Sequence, residues 1–348
     1  MRDHTTGTVD MPRSIASLSA RSALVCVLLV AHLLATPVFA AEAPIAPPLP
    51  ATTDCAQSRA LPAGADQNSR RIACQIPPKY QQDVAMAEFI GGMIRMHDIA
   101  AWLTTDALLA KGAFEGVEGE GRGWLTFETD GKIEVRYFWE SRGNVAAVAT
   151  ATLDMASMEV EDARKLSPAE PLTDRESRLM KSRDAALHTP ELGMCTKHAP
   201  NTLAFESNLD GRPEILVFVM SAWKDNHAAP LGGFHLFRYS ADGQTLQSQF
   251  SQTRSCPMAN LDEKLPEGAQ AVGMGVSHLT SATPTMFHVF MNLQYRQPLF
   301  VMTTQNGLHW RVEDGRIHLI ERDDPADALA APAPPVAPPV PTPEASSP

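Results

Sequence analysis

GWLTFETDGKIEVRYFWES, residues 123–141, is the stretch that decides the class of fold. Ile133, Val135, Tyr137 and Trp139 alternate with Glu134, Arg136, Phe138 and Glu140. That is the period of a β-strand with one largely wetted face. Asp130-Gly131 precedes it, and this dipeptide tolerates the positive φ that a tight hairpin turn demands. VAAVATATLDM, residues 145–155, predicts a third strand, so a three-stranded meander is expected.

Working outward towards the N-terminus, Met86, Phe89, Ile90 and Met93 recur at helical spacing, and Ile99, Trp102 and Leu103 continue the stripe. These methionines and the tryptophan read as core, and Gly91-Gly92 is expected to kink or break the helix. Towards the C-terminus, LTDRESRLMKSRDAALHT (residues 172–189) predicts a second helix. Thr173 and Glu176 form a capping box, each satisfying an exposed amide of the first turn.

After Cys195 the chain reads as nearly all strand. NTLAFES, EILVFVMSA, GGFHLFRYS, TLQSQFSQT, AVGMGVS, MFHVFMNLQ, LFVMTT, HWRVE and RIHLIE are divided by turn signals. Asp210-Gly211, Asp242-Gly243 and Asp314-Gly315 mark hairpins. The expected class is α+β, with helices mainly in the N-terminal half. An antiparallel β-sheet, curled into a partial barrel or sandwich, is expected in the C-terminal half.

The ends carry a different message. Arg13 and Arg21 lead into the apolar stretch Ala23–Ala35, and Val38-Phe39-Ala40 matches a small-x-small cleavage pattern. Residues 1–40 therefore read as an export signal. The absence of charge from Ser22 to Ala41 would also suit an uncleaved anchor. Pro37 and the short apolar core favour cleavage. Residues 41–53 and 325–348 are rich in proline and alanine and have few large side chains, so they read as a linker and a disordered tail. Between them lie a helical segment with the meander, 54–190, and the antiparallel β region, 191–324.

The formal charge is −11 for the whole chain; the signal holds three basic and two acidic residues, so removing its +1 leaves −12. No basic run is present, which argues against nucleic acid as a partner. No segment after the signal is long and apolar enough to span a membrane, and no cofactor motif stands out. Beyond Cys26 in the signal, four cysteines remain, an even number in an exported chain. Cys55–Cys74 and Cys195–Cys256 is the expected pairing, because each pair then lies within one apparent unit.

Four quoted motifs now add up: HDIAAWLTTDALL (97–109), GRGWLTFETDG (121–131), GGFHLFRYSADG (232–243) up to Cys256, and SHLTSATPTMFHVF (277–290). Over most of the folded middle the chain resembles an uncharacterised family of exported proteobacterial proteins. The resemblance implies export and no assigned activity. Relatives place a histidine directly after the two glycines; here Phe234 stands there, with His235 one residue later. On a strand that shift turns the ring to the opposite face.

The candidate chemistry is sparse. His235, His278 and His288 could be imagined as a three-histidine metal site, since imidazole suits zinc, copper or iron. His288 shares a strand face with Met286 and Phe290, which reads as packing, and His278 fits a turn cap. Ser221-Ala222-Trp223-Lys224 matches the SxxK spacing of a serine nucleophile and its lysine, but no Lys-Thr-Gly accompanies it. Asn208, Asp210 and Glu214 lack the remaining oxygen ligands of a calcium loop. The expectation is a non-enzymatic exported protein, periplasmic or secreted, that binds a protein or envelope component. The alternative is a periplasmic hydrolase, with or without a metal, using Ser221, His278 or His288.

Overall fold

The computed structural model describes residues 76–208, 211–223, 227–261 and 271–320. The signal, the linker, Cys55 and Cys74, Asp210, Lys224 and the C-terminal tail lie outside the described residues. Two compact units are present. One holds His97–Ser182 and Ala204–Glu206; the other holds residues 76–96, Arg183–Leu203 and the described residues from Ser207 onward.

Helix α1 (Pro78–Ala110) contributes to both units and runs unbroken through Gly91-Gly92. In the first unit its buried residues are Ala101, Thr104 and Leu108, at helical spacing. Trp102 lies one residue, about 100°, off that stripe and is 59 % exposed, contrary to its expected place in the core. Four antiparallel strands follow: β1 (Glu120–Thr129), β2 (Lys132–Ser141), β3 (Asn144–Asp154) and β4 (Val160–Pro171), paired in that order. The Asp130-Gly131 turn is the expected hairpin, with positive φ at both residues.

Two details depart from the sequence reading. The meander gains a fourth strand, because β4 is an edge strand exposed along most of its length and carries no apolar alternation. Phe138 is fully buried rather than wetted, since the β2–β3 register slips between Tyr137 and Phe138. A bulge of this kind re-aims the side chains that follow it. Tyr137 donates to the Ala101 carbonyl at 2.9 Å, and burial pushes its hydroxyl up to about 12.

Helix α2 (Asp174–Leu187) opens with the expected capping box. Thr173 N–H donates to Glu176 Oε2 at 2.7 Å, and Glu176 N–H donates to Thr173 Oγ1 at 3.2 Å. Thr173→Ala should lower stability by about 1 kcal/mol in urea unfolding.

Strand β5 (Asn201–Ser207) is divided between the units, and the second unit holds β6 (Glu214–Met220), β7 (Ala228–Pro230), β8 (Phe234–Ser240), β9 (Leu246–Ser251) and β10 (Met258–Asn260). It continues with β11 (Met274–His278), α3 (Met286–Tyr295), β12 (Leu299–Thr303), β13 (Leu308–Glu313) and β14 (Arg316–Ile320). The sheets are β5-β6-β8-β9, β7-β10 and β11-β12-β13-β14.

The reading of MFHVFMNLQ as a strand is overturned: it is helix α3. A short apolar run buried on nearly every side has no period that separates strand from helix. The helical signals were Thr285 at the N-cap and a length of ten residues. The helix also explains a second departure, the parallel pairing of β11 with β12 in an otherwise antiparallel sheet. Parallel neighbours need a crossover, and α3 supplies it. Gly91 serves this packing instead of a kink. A Cβ there would lie 2.5 Å from Val289 Cβ and 2.7 Å from the Met286 carbonyl oxygen, so α1 and α3 approach closely only over glycine.

Candidate functional site

His278 ends β11 and His288 sits in the first turn of α3, so one β-α-β crossover brings both to the same place. They are 1 % and 2 % exposed. Their ring centroids are 4.7 Å apart, with the planes at 88°. His288 does not share a strand face with Met286 and Phe290, as the sequence suggested; it is the third residue of a helix.

Helix geometry fixes how His288 uses its nitrogens. The Thr285 backbone N–H donates to His288 Nδ1 at 2.9 Å. This is a capping box with an imidazole in place of the usual carboxylate. A backbone N–H can only donate, so Nδ1 is the acceptor and the neutral ring carries its proton on Nε2. The terminal atoms of Gln252 lie 2.7 Å from His288 Nε2 and 2.6 Å from Thr285 Oγ1. Nε2–H needs an acceptor, so the amide oxygen of Gln252 faces the ring and its NH₂ group faces the threonine hydroxyl. Both imidazole nitrogens are thereby spent inside the fold.

His278 Nε2 lies 2.7 Å from Ser281 Oγ, the separation of a nucleophile and its base. The proton flow is wrong for that role. The Ser281 hydroxyl donates to the Thr283 carbonyl at 2.6 Å, so the ring must donate to Ser281. A ring nitrogen that already carries a proton cannot accept one from the serine. Ser281 was not singled out from the sequence, where it was one hydroxyl among four between the two histidines; only the turn brings it under the ring.

The remaining candidates are also engaged. His235 Nε2–H donates to the Gly193 carbonyl at 3.1 Å, and Nδ1 accepts from the Ser251 hydroxyl at 2.9 Å. Phe234, one residue earlier, stacks on Phe287 of α3 with centroids 5.7 Å apart. Among the described residues no three His, Cys, Asp or Glu side chains gather as a metal-holding group. Ser221 follows β6 and does not open a helix. Its Oγ accepts from Cys195 N–H at 2.9 Å and donates to the Gly233 carbonyl at 3.2 Å, beside the Cys195–Cys256 disulfide. Glu214 is held by both arms of Arg238, at 2.8 and 2.7 Å. The Gly211 N–H donates to the Asn208 carbonyl at 3.1 Å.

No family model, curated protein or solved structure matches this chain. Its reading rests on its own side chains.

Burial sets the charge state of the cluster. Desolvation lowers His278 to about 4. His288 is lowered well below its ordinary value, first by burial and then by its neighbour His278. A histidine whose folded pKa is depressed leaves stability unaffected above its unfolded value. Stability is lost as pH falls from about 6.5 to the folded pKa, because the unfolded chain takes up the proton first. For His278 that loss is about 3 kcal/mol by pH 4. Urea unfolding at pH 7, 5.5 and 4.5 should show the decline. The His278→Gln/His288→Gln variant should flatten it, and the burial-lowered His235 and His318 should account for the remaining slope.

Proposed function

We propose that this chain is an exported, non-enzymatic binding protein, working in the periplasm or at the cell surface on a protein or envelope component. The observation that carries this reading is the fate of the reactive side chains. Ser221, His235, His278 and His288 are each at least 96 % buried and bonded to groups of the same fold. The Cys195–Cys256 bridge supports an oxidising compartment. No helix among the described residues is long and apolar enough to cross a membrane.

The surface proposed for binding is the open face of the β11–β14 sheet. Register places Met302, His309 and Ile320 in one cross-strand row and Phe300, Arg311 and His318 in the next. Met302 and Ile320 are each 38 % exposed, while Leu299, Val301, Trp310 and Val312 on the opposite face are buried. Met302 and Ile320 flank His309 in the first row, and this mixed surface with Arg311 beside it suits a protein segment that offers apolar side chains.

The test uses co-sedimentation of the purified protein with isolated envelope fractions. Met302→Asp/Ile320→Asp should abolish it, while Ser221→Ala and His278→Gln leave it intact. Hydrolysis of ester, amide or phosphoester substrates that disappears in Ser221→Ala or His278→Gln would overturn the reading.

A further inference from the structure

The segment between His278 and α3 is held from two sides by bonds of different character. On one side stands the turn between β12 and β13. Thr304 N–H donates to the His278 carbonyl at 2.9 Å, Gln305 Nε2 to the Leu279 carbonyl at 3.0 Å, and Asn306 Nδ2 to the Ala282 carbonyl at 2.7 Å. None of these donors titrates. On the other side the attachment to Gln252, directly after β9, runs through His288 and the neighbouring Thr285 hydroxyl, with the His278 ring packed against His288.

We propose that His278 and His288 form an acid-operated latch, which holds residues 279–285 against Gln252 while both rings are neutral and releases them on protonation. Every group that meets the rings works in that direction. Among the described residues their polar neighbours are Gln252, Thr280, Ser281 and Thr285, and each ring faces the other. Among the described residues no carboxylate is within ion-pairing distance to hold an imidazolium, and no lysine or arginine contacts either ring. A proton on His288 Nδ1 would point at the Thr285 N–H, donor against donor. It would also put a positive charge at the helix end that is already positive. A second proton, on His278, would sit in the adjoining ring and be repelled. The charged state is relieved only when the rings leave for water. The β12–β13 turn keeps its grip, and Phe287, fully buried against Phe218, Phe234 and Phe250, anchors α3, so the segment swings away from Gln252 instead of detaching. A buried histidine pair beside a movable segment is the physical form of a pH switch. The latch does not depend on the binding reading above, and its failure would leave that reading untouched.

Hydrogen exchange of the full-length mature protein tests it, with rates corrected for the intrinsic effect of pH. Between pH 7 and pH 4.5, amides of 279–285 should lose protection by about tenfold or more while β6 and β8 keep theirs. Glutamine at position 288 can still accept from the Thr285 N–H but takes no proton. His278→Gln/His288→Gln should therefore hold its protection across that range. Opening of the double variant at the same pH would overturn the latch. If that variant does not fold, the wild-type profile decides: loss of protection in β6 and β8 together with 279–285 would mean global unfolding and no latch.

Discussion

Removing the Cys195–Cys256 bridge is expected to lower the unfolding free energy by about 4 kcal/mol. The bridge spans a sequence separation of 61 residues, a long loop whose closure restricts the unfolded chain. Its surroundings show that the native state is built around it. Ser221 Oγ accepts from Cys195 N–H, and Gly233 at φ +70° leaves no room for a Cβ beside Ser221 Oγ and Cys195. A Cβ on Gly232 would lie 2.5 Å from Thr253 Oγ1 and 2.8 Å from the Ser255 carbonyl oxygen, so the Cys256 side of the bridge is packed as tightly. Urea unfolding of the wild type and of Cys195→Ala/Cys256→Ala measures the difference. A midpoint unchanged by the substitutions would show that the bridge contributes nothing.

Trp310→Ala should cost a similar amount, about 3 to 5 kcal/mol. Trp310 is fully buried on the closed face of the β11–β14 sheet and is among the largest of the fully buried side chains. Its Nε1–H donates to Thr303 Oγ1 at 3.0 Å, and Tyr80 of α1 packs edge-on with centroids 6.3 Å apart. Truncation leaves a cavity, removes the donor to a buried hydroxyl that itself donates to Asn306 Oδ1, and loosens α1 from the sheet. Calorimetric unfolding of Trp310→Ala beside Trp310→Phe separates the terms. Phenylalanine keeps most of the volume and loses the hydrogen bond, so it should fall between wild type and alanine.

The parts of the fold that could be read from the chain are those where a local rule acts alone. Strands β1 to β3 followed from alternation and the Asp130-Gly131 turn, and α2 followed from Thr173 and Glu176. The misreadings occur where tertiary packing decides. The segment 286–294 is buried on nearly every side, so it lacks the polar face that would have revealed a helix. β4 is polar because it is an edge, and Trp102 looks like core in any pattern that ignores which face of α1 meets the sheet. Gly91 is a contact between helices, which has no local signature.

The site was half legible. His278 and His288 stood out as a pair, but taking 286–294 as a strand hid the reason they meet. The crossover that makes β11 and β12 parallel also folds His288 back over His278. Gln252 and Ser281 carried no motif, and their roles come from a cap and a turn. The disulfide partners Cys195 and Cys256 were chosen for lying in one unit, and they do lie in one.

The claim on which the account rests is that these imidazoles hold the fold and do no chemistry. Long-range ¹⁵N–¹H NMR of the histidine side chains at neutral pH tests it directly. Both rings should be neutral with the proton on Nε2, and on acidification His278 should titrate near pH 4, where burial places it. An Nδ1-protonated His288, or a His278 that titrates near neutrality as a working base would, contradicts the account.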